Sequence, residues 1–373
     1  MSTAPWTWTR LQTAFVSLGL CLVLACTRAP APPPEHDVYV WQRDWSPELG
    51  QSLTELPAEL GTLRVLARER SGATRTPVTV AVDVEALAKT GRDVAAVMRV
   101  EGTTPLDDVS LQEVASIARD WKARGVRVRG VEVDHDCATA SLPAYAEWLA
   151  RERRGLGDLS LSITALPTWA TSPKLEALTA IPDDVIVQVH AIRAPTLFTP
   201  EQARGFIESW AKATPHPFRV ALPTYRVRLR DGGLLESEPR AVARFLSQLH
   251  ERPVRGVKGL VWFRLGHRGD IDSWSLPTLT TVLKREPLTP KLEPRLVDVG
   301  GGTLDIVIEN TGRVDSEAPA RLTLSGRLEV LDGVGGYAPR GTSLVARTPP
   351  RLRAGERRVV GFVRGTEVTL VAP

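Results

Sequence analysis

Cysteine, histidine and methionine are all scarce in this sequence: 373 residues contain three, six and two of them. Three cysteines exclude a fold that depends on a disulfide framework, as many small secreted domains do. No apolar run reaches the about 20 residues that a membrane-spanning helix needs. No G-x-S-x-G sequence occurs, so a serine nucleophile on a strand-to-helix turn is not indicated. The chain must therefore be stabilised by a large hydrophobic core, for which it is long enough.

Charges of both signs are interspersed along the chain. Lys and Arg number 47 against 43 Asp and Glu, which gives a formal net charge of +4 and a pI near 9.1. No basic run with interleaved aromatic residues occurs, and such a run is the usual footprint of a nucleic-acid-binding surface. The charge pattern therefore does not indicate a nucleic-acid partner.

The N-terminus has the pattern of an export signal. Arg10 precedes the uncharged, mostly apolar run Thr13–Ala25, which is too short to span a bilayer but fits the apolar part of a secretory signal. The run ends in Val23-Leu24-Ala25-Cys26, which resembles the lipobox of bacterial lipoproteins, where cleavage precedes the cysteine. This resemblance implies a signal peptide over residues 1–25 and lipidation of Cys26. Ordinary signal cleavage with an incidental Cys26 is the alternative.

Residues 26–36 are predicted to be a tether. The proline-rich stretch Arg28–Glu35 favours an extended, solvated backbone, as a link between a membrane anchor and a folded domain requires. Thr27 stands where an aspartate would favour retention in the inner membrane. We therefore expect a lipid-anchored protein of the cell envelope, at the outer membrane or the periplasmic face. Cys21 leaves with the signal and Cys26 would be acylated, so Cys137 has no internal disulfide partner in the mature chain.

Beyond the tether, short apolar strand-like runs alternate with amphipathic helical patterns, which is typical of a parallel α/β fold. The strand candidates are Asp37–Trp45, Leu63–Arg68, Val78–Val84, Val128–Asp136, Leu159–Leu166, Val185–Ile192, Phe218–Tyr225 and Gly259–Leu265. The helix candidates are Pro47–Leu60, Leu111–Arg124, Leu142–Arg154, Pro200–Ala213, Pro239–His250 and Leu276–Lys284.

Eight strands between residues 37 and 265 match the size of a (β/α)8 TIM-like barrel, which we predict for residues 37–288. The connection Glu69–Pro77 is too short for a full helix, so either a helix is missing there or the second strand is misplaced. A doubly wound open sheet is the alternative architecture.

From about Pro290 the pattern changes to strands separated by turns. Leu304–Glu309, Ala320–Ser325 and Arg358–Arg364 alternate with a period of two, which predicts a β-sandwich-like domain over residues 289–373. The segment Asp298–Asp305 resembles the phosphate-binding loop of actin-type ATPases. Because few residues follow it and they resemble strands, we interpret it as a glycine-rich hairpin.

Three acids alternate along the fourth predicted strand. Side chains alternate across a strand, so Glu132, Asp134 and Asp136 share one face, which is the inward face in a barrel. Buried acids must be protonated, paired or used, and their mutual repulsion raises the pKa of at least one, which suits a general acid. We predict these three as catalytic residues. The alternative is neutralisation by interior arginines, with Arg43 and Arg264 as candidates.

Aromatic and polar side chains gather at the ends of other predicted strands. Tryptophan and tyrosine provide flat apolar faces with a polar group, which suits stacking on sugar rings. We predict a substrate-binding set of Trp41, Arg43, Trp45, Trp169, Gln188, His190, Tyr225, Trp262 and Arg264. Filling of the core is the alternative for these aromatic residues and for His190.

A metal centre would need His190 to join Asp134, His135 and Asp136. Strand alternation turns His135 away from the two acids, and the first strand has Val40-Trp41-Gln42 rather than an H-x-H sequence. We therefore predict no metal site, and nothing in the sequence indicates a cofactor.

The acidic strand also resembles the strand signature of chitinase-type glycosidases, in which two aspartates lead to a glutamic acid at the strand end. The corresponding residues are Glu132, Asp134 and Asp136. The resemblance implies that Asp136 is the proton donor. The chain departs from the signature here, because aspartate is one methylene shorter and the reach of a general acid is limited by geometry.

Several strand-end sequences together resemble DUF3142, a bacterial family of unknown function. They are Tyr39–Arg43, Val133–Cys137, Thr164–Trp169, Gln188–His190, Leu222–Tyr225 and Val261–Leu265. The resemblance runs from about residue 37 to residue 285. It implies a TIM barrel distantly similar to glycosidases, with these strand ends in one site.

We therefore predict an exported, glycoside-hydrolase-like lipoprotein that acts on a polysaccharide or oligosaccharide by carboxylate acid–base catalysis. A second carboxylate, if needed, would come from Asp83, Glu85, Asp270 or Asp272. The alternative is a carbohydrate-binding lipoprotein without catalysis, in which the aromatic residues bind the glycan and the acids are structural.

Overall fold

A computed structural model of the protein describes residues 1–2, 35–71, 76–192 and 196–371. The apolar part of the predicted signal peptide, Cys26 and almost all of the predicted tether lie outside the described residues. Within the described residues, no helix is long and apolar enough to cross a membrane.

Eight parallel strands form a closed barrel. The strands of this part are β1 (Glu35–Val40), β2 (Leu60–Arg70), β3 (Val78–Thr79), β4 (Asp93–Val100), β5 (Arg127–His135), β6 (Ser160–Ala165), β7 (Asp184–Gln188), β8 (Phe218–Pro223), β9 (Arg226–Arg228), β10 (Leu234–Glu236) and β11 (Val257–Phe263). The barrel order is β1-β2-β4-β5-β6-β7-β8-β11, and β11 returns to pair with β1. This closure confirms the predicted TIM-like barrel and excludes the open sheet.

Helices connect the barrel strands and cover their outer face. They are α1 (Pro47–Thr54), α2 (Val84–Lys89), α3 (Leu111–Ala123), α4 (Leu142–Arg153), α5 (Leu175–Thr179), α6 (Pro200–Ala213), α7 (Pro239–Glu251) and α8 (Leu276–Leu283). The side chains of Ser46, Ser110, Thr199 and Ser275 each accept a hydrogen bond from a backbone N–H of the first helical turn. These caps satisfy donors that have no partner inside the helix, so they fix where each helix begins.

The third barrel strand is β4, and the predicted strand Val78–Val84 is wrong. Only Val78 and Thr79 form a strand, an antiparallel extension beside β2. Asp83 caps α2 instead, because its carboxylate accepts the N–H of Ala86. β4 shows no alternation, since Val94–Met98 is buried both against the barrel interior and against the helices.

A cluster of charged residues fills one end of the barrel interior. The Arg64 side chain is 4% exposed, and its guanidinium contacts carboxylates of Asp37, at 2.9 Å, and of Glu132 and Asp184. Arg219 joins the cluster through Asp184, at 2.6 Å, and Asp37, at 3.4 Å. Buried charges are tolerated only when paired in this way, so the cluster fixes how these strands align.

We expect Arg64→Met to lower the free energy of unfolding by about 3–5 kcal/mol, because it leaves the buried Glu132 carboxylate without its cation. Urea unfolding at neutral pH measures the loss. The matched control is Arg129→Met, since the Arg129 side chain is 64% exposed where it pairs with Asp93 and should cost less than about 1 kcal/mol. Equal losses in the two variants would contradict a structural role for the buried cluster.

After α8 the chain is built from antiparallel strands. They are β12 (Leu292–Gly300), β13 (Thr303–Asn310), β14 (Ser316–Glu317), β15 (Arg321–Gly333), β16 (Tyr337–Arg340), β17 (Ser343–Ala346), β18 (Arg351–Leu352) and β19 (Arg357–Val371). Six of them form a sheet in the order β12-β13-β19-β15-β17-β16, and β14 pairs with β18. Ile306, Leu324, Leu344 and Val360 are among the residues of its separate hydrophobic core.

The glycine-rich segment that resembles a phosphate-binding loop is the turn of the β12–β13 hairpin. Gly300, Gly301 and Gly302 have φ angles of 90°, 61° and 71°. Only glycine adopts this left-handed region without strain, so the glycines serve the turn.

The antiparallel region is attached to the barrel by hydrogen bonds at the start of α8. The Asp315 carboxylate accepts the N–H of Ser275 at 2.8 Å, and the Asp315 N–H donates to Thr278 at 2.8 Å. Arg351 pairs with Glu236 at 2.8 Å. Residues 34–373 form one compact unit, and the predicted domain boundaries at residues 37 and 289 stay predictions.

Candidate active site

A cleft of about 190 Å³ opens at the carboxyl ends of the barrel strands. This is the end at which TIM-barrel enzymes hold their working residues. The cleft is lined by Tyr39, Trp41, Arg99, Asp134, Asp136, Thr164, Ile186, Gln188, His190, Ala221, Tyr225 and Phe263. Six predicted site residues are therefore brought together: Asp134, Asp136, Trp41, Gln188, His190 and Tyr225.

Asp134 and Asp136 form the acidic floor of the cleft. Asp134 lies at the end of β5 and is 8% exposed, whereas Asp136 follows the strand and is reachable from solvent. The Thr164 hydroxyl donates a hydrogen bond to Asp134 at 2.7 Å. The Arg99 guanidinium is 3.7 Å from the other Asp134 oxygen. Asp134 is thus held in place, while Asp136 is open to a ligand.

The environment of this pair favours protonated carboxyl groups. Burial, followed by the negative charge of Asp136, raises the pKa of Asp134 from 3.8 to about 7. Desolvation within the cleft also raises the pKa of Asp136, although the charge of Arg99 acts in the opposite direction. Two adjacent carboxyl groups that resist joint ionisation retain a proton toward neutral pH, as a general acid requires.

Aromatic rings form one wall of the cleft. Trp41 meets Tyr39 edge to face at a centroid distance of 5.6 Å, and Phe263 lies 5.2 Å from Trp41. The Arg99 guanidinium carbon lies 5.9 Å from the centroid of the Trp41 ring. The wall combines apolar faces with one cation, an arrangement that suits stacking on a polar ring such as a sugar.

His190, Tyr225 and Gln188 continue the lining beside Phe263, whose ring centroid lies 5.7 Å from that of His190 and 5.4 Å from that of Tyr225. The Tyr225 hydroxyl is 3.2 Å from His190 Nδ1, and the Gln188 amide donates to the His190 carbonyl at 3.0 Å. Burial lowers the pKa of His190 from 6.5 to about 3, so the ring is neutral. Its Nε2 is buried and has no hydrogen-bond partner among the described residues. A ligand hydroxyl would satisfy this atom.

Glu132 does not belong to the cleft, which corrects its predicted catalytic assignment. It is fully buried and accepts hydrogen bonds from Tyr39 at 2.6 Å, from Ser162 at 2.9 Å and from Arg64. The alternative of neutralisation by an arginine is thus correct for this acid alone. Its partner is Arg64 on β2, and neither Arg43 nor Arg264 makes that contact.

Trp169 and Trp262 are core residues, and their predicted role in substrate binding is wrong. Trp169 is fully buried, and its ring nitrogen donates to the Cys137 carbonyl at 3.0 Å. Trp262 is paired with Val38, so it lies on the outward face of the barrel, where it packs against Trp274. Paired residues of neighbouring strands share a face, and Phe263 occupies the inward face instead.

Arg43, Trp45 and Arg264 also lie outside the lining of the cleft. β1 ends at Val40, so strand alternation cannot be extended to residues 43 and 45. Arg43 is exposed and pairs with Glu69 at 2.6 Å, and Trp45 packs against the barrel core. Arg264 pairs with Asp270 at 3.1 Å.

Arg99, Phe263, Thr164 and Tyr39 are cleft residues that the predicted site omits. The predicted site lacks Arg99 because the predicted strands do not include β4, although the apolar run Val94–Met98 has the length of a buried strand. The other three follow from alternation once one inward residue on each strand is known.

None of the predicted second carboxylates belongs to the lining of the cleft. Asp83 caps α2, and Glu85 is exposed and pairs with Lys89 at 2.7 Å. Asp270 and Asp272 pair with Arg264 and Arg226. Among the residues that the structure describes, no group of three metal-binding side chains occurs, and His135 turns away from the acids to contact the Val100 carbonyl at 3.1 Å.

The sequence comparison agrees with the strand-end resemblance. Residues 90–268 match the family model of DUF3142, a domain of unknown function. This part of the chain is a DUF3142 domain. Residues 297–366 match DUF8456, a second domain of unknown function. No curated protein matches the chain.

Several solved structures are similar to this chain at low sequence identity. The spore cortex-lytic enzyme SleL of Bacillus cereus has 11% identity and a TM-score of 0.47, covering 69% of this chain and 75% of SleL. A GH18 chitinase domain from the fern Peteris ryukyuensis has 12% identity and a TM-score of 0.43, covering 66% and 98%. The xylanase-alpha-amylase inhibitor protein XAIP-I has 13% identity and a TM-score of 0.43, covering 68% of this chain and 99% of XAIP-I. Chemistry must therefore be argued from the site itself.

We expect Asp134 to contribute a loss of stability as pH rises from about 4 to about 7, and Asp134→Asn to remove this contribution. The native state holds the Asp134 proton up to a pKa of about 7, whereas the unfolded chain releases it near 3.8. Because the native state binds more protons in this window, the stability present below it is lost through it. Urea unfolding should show the variant gaining roughly 1–4 kcal/mol over the wild type at pH 8 relative to pH 4.

The control for this series is Asp107→Asn, an exposed acid outside the cleft, which should follow the wild-type pH dependence. A difference between Asp134→Asn and the wild type that stays constant from pH 4 to pH 8 would show that Asp134 titrates normally.

Proposed function

We propose that this protein is a glycoside hydrolase that acts on a polysaccharide. The observation that carries the proposal is the pair Asp134 and Asp136, two carboxyl groups of raised pKa on the floor of an aromatic-walled cleft. Hydrolysis of a glycosidic bond needs a carboxylic acid that is still protonated when the substrate binds. The pair supplies such an acid at the end of the barrel where catalytic groups are placed.

Asp136 is the proton donor in this proposal, because it is the acid of the pair that a ligand can reach. It protonates the glycosidic oxygen while the bond from that oxygen to the anomeric carbon breaks. The Asp136 carboxylate then takes a proton from the water that attacks the anomeric carbon, which restores the acid. Desolvation within the cleft keeps the pKa of Asp136 raised, and Asp134, fixed by Thr164 and Arg99, lies beside it.

The sugar ring is held by the walls of the cleft. Trp41 and Phe263 provide apolar faces, while the unpartnered Nε2 of His190 and the Gln188 side chain provide polar contacts. Apolar surface with a few convergent polar groups is the usual composition of a small-molecule site.

A carbohydrate-binding protein without catalysis is the second candidate. The observation that favours it is the position of the carboxylates. Among the described residues, only Asp134 and Asp136 contribute carboxylates to the cleft, and both come from the end of one strand. A hydrolase with two carboxylates places them on opposite sides of the scissile bond. In a binding protein the pair would accept hydrogen bonds from sugar hydroxyls.

We expect Asp136→Asn to lower turnover of the best substrate by about 10²–10⁴-fold while its affinity changes little, because a proton donor acts in the transition state. Release of reducing ends from a panel of chitin, peptidoglycan and common plant and bacterial glycans identifies the substrate. Equilibrium binding of that glycan to wild type and variant gives the affinity.

Asp107→Asn is again the matched control, since it removes the same charge from an exposed position in the short 3-10 helix Leu106–Asp108 and should keep full turnover. Undiminished hydrolysis by Asp136→Asn would contradict the assignment of Asp136. Tight glycan binding without hydrolysis of any glycan by the wild type would establish the binding protein instead.

We propose further that the chain is exported and anchored to a membrane through Cys26, on the strength of Val23-Leu24-Ala25-Cys26 after an apolar run. We expect incorporation of a radioactive fatty acid in the native host, and its loss in Cys26→Ser. Cys21→Ser is the control, because Cys21 lies within the predicted signal. A mature N-terminus other than Cys26, found by mass spectrometry, would contradict lipidation and support ordinary signal cleavage.

A further inference from the structure

A second cleft, of about 300 Å³, lies between the barrel and the antiparallel region. One side is formed by β9, β10 and the loop Ile271–Trp274, and the other by the segment Thr348–Arg358. Nothing in the proposed reaction uses this cleft. Its size exceeds that of the barrel cleft, so it has room for further residues of a chain.

Tyr225 joins the two clefts, because it lines both of them. Its hydroxyl contacts His190 in the barrel cleft, and its backbone forms a β-bridge with Ser273 at the second cleft. Tyr225 therefore lies between the two clefts.

Most acids that line the second cleft already have an ion-pair or hydrogen-bond partner. In contrast, two arginines of the lining form no ion pair with a described residue. Glu236, Asp272 and Glu356 pair with arginines, and Asp315 accepts backbone N–H groups. Among the described residues, Glu317 is the one acid of this lining without such a partner.

Within the described part of the chain, Arg228 and Arg353 are the two arginines of this lining that form no ion pair with a carboxylate. Arg228 is exposed and makes no ion pair among residues 35–71, 76–192 and 196–371. Arg353 is partly buried and donates to the carbonyls of Asp270 and, at 3.3 Å, Trp274. The carboxylates of Asp315, Asp270 and Glu356 act on its charge electrostatically but form no ion pair with it within the described part of the chain, and an anionic ligand would supply that direct contact.

Apolar side chains stand exposed beside these arginines. Leu234 is 44% exposed and Ile271 is 59% exposed, and both line the cleft. Large apolar side chains held at the rim of a cleft, with guanidinium groups between them, suit a ring that has an apolar face and a charged substituent.

We propose that the second cleft binds a uronic-acid residue of the glycan whose neighbouring residues occupy the barrel cleft. The sugar carboxylate lies between Arg228 and Arg353, and the ring lies on Leu234 and Ile271. The inference rests on the proposed function for the direction of the chain, and it makes the antiparallel region part of the substrate-binding surface. The substrate class is then an acidic polysaccharide.

The experiment measures binding to the full chain carrying Asp136→Asn, so that ligands are not cleaved. Isothermal titration calorimetry compares tetragalacturonate and tetramannuronate with xylotetraose. We expect at least one uronate tetrasaccharide to bind about tenfold more tightly than xylotetraose, and less tightly as salt is raised. Adding Arg228→Glu should abolish that preference, because a charge-assisted contact is replaced by repulsion.

Arg230→Glu is the matched control, because Arg230 is exposed on the same hairpin but does not line the cleft. It should change uronate affinity less than about twofold. Equal affinity for uronate and neutral tetrasaccharides, or equal effects of the two substitutions, overturns the inference.

The two proposals fail in different ways. If the second cleft has no role, Asp136-dependent hydrolysis of a neutral glycan persists and is insensitive to Arg228→Glu. If the protein is not a hydrolase, no glycan is cleaved by the wild type, yet uronate binding that depends on Arg228 remains.

Discussion

The alternation of side chains along β5 determines the character of the site. Because of this alternation, Glu132, Asp134 and Asp136 all face inward. Arg64 neutralises only the most deeply buried of them, Glu132. The Glu132 carboxylate is hydrogen-bonded by Arg64, Tyr39 and Ser162. Its charge is therefore neutralised inside the barrel and does not face the cleft. Asp134 and Asp136 are left with no buried cation of their own. Burial raises the pKa of both carboxyl groups, and the positive charge of Arg99 offsets only part of this rise.

The barrel could be predicted from the sequence because most of its strands are flanked by capped helices and end in polar residues. The exception is β4, whose run Val94–Met98 is buried on both faces, so this run has neither alternation nor charge to distinguish it from a helix core. The strand predicted at Val78–Val84 is wrong for a local reason, because Asp83 and the following residues resemble the end of a strand but form a capped helix. The number of strands was nevertheless right, because β4 takes the place of the false strand.

Half of the proposed site could also be predicted, and the errors share one physical reason. Strand alternation assigns a face only while the strand continues and only after its inward residue is known. At β11 the large tryptophan was preferred to its neighbour, although pairing with Val38 places Trp262 outside the barrel. At β6 the chain turns into a short helical segment, and Trp169 becomes part of the core. Long-range pairing decides such positions, and a single sequence does not contain it.

The antiparallel region helps to position the lining of the barrel cleft, although it contributes no residue to that lining. Arg353 holds the carbonyls at both ends of the loop Asp270–Trp274. That loop in turn fixes the chain around Tyr225, since the Trp274 N–H donates to the Thr224 carbonyl at 2.7 Å and Arg226 donates to the Asp272 carbonyl at 2.9 Å. Tyr225 is therefore positioned by contacts that begin in the antiparallel region. A ligand that binds Arg353 in the second cleft would contact the same residues that position Tyr225 in the barrel cleft. The loop Asp270–Trp274 therefore supports both clefts.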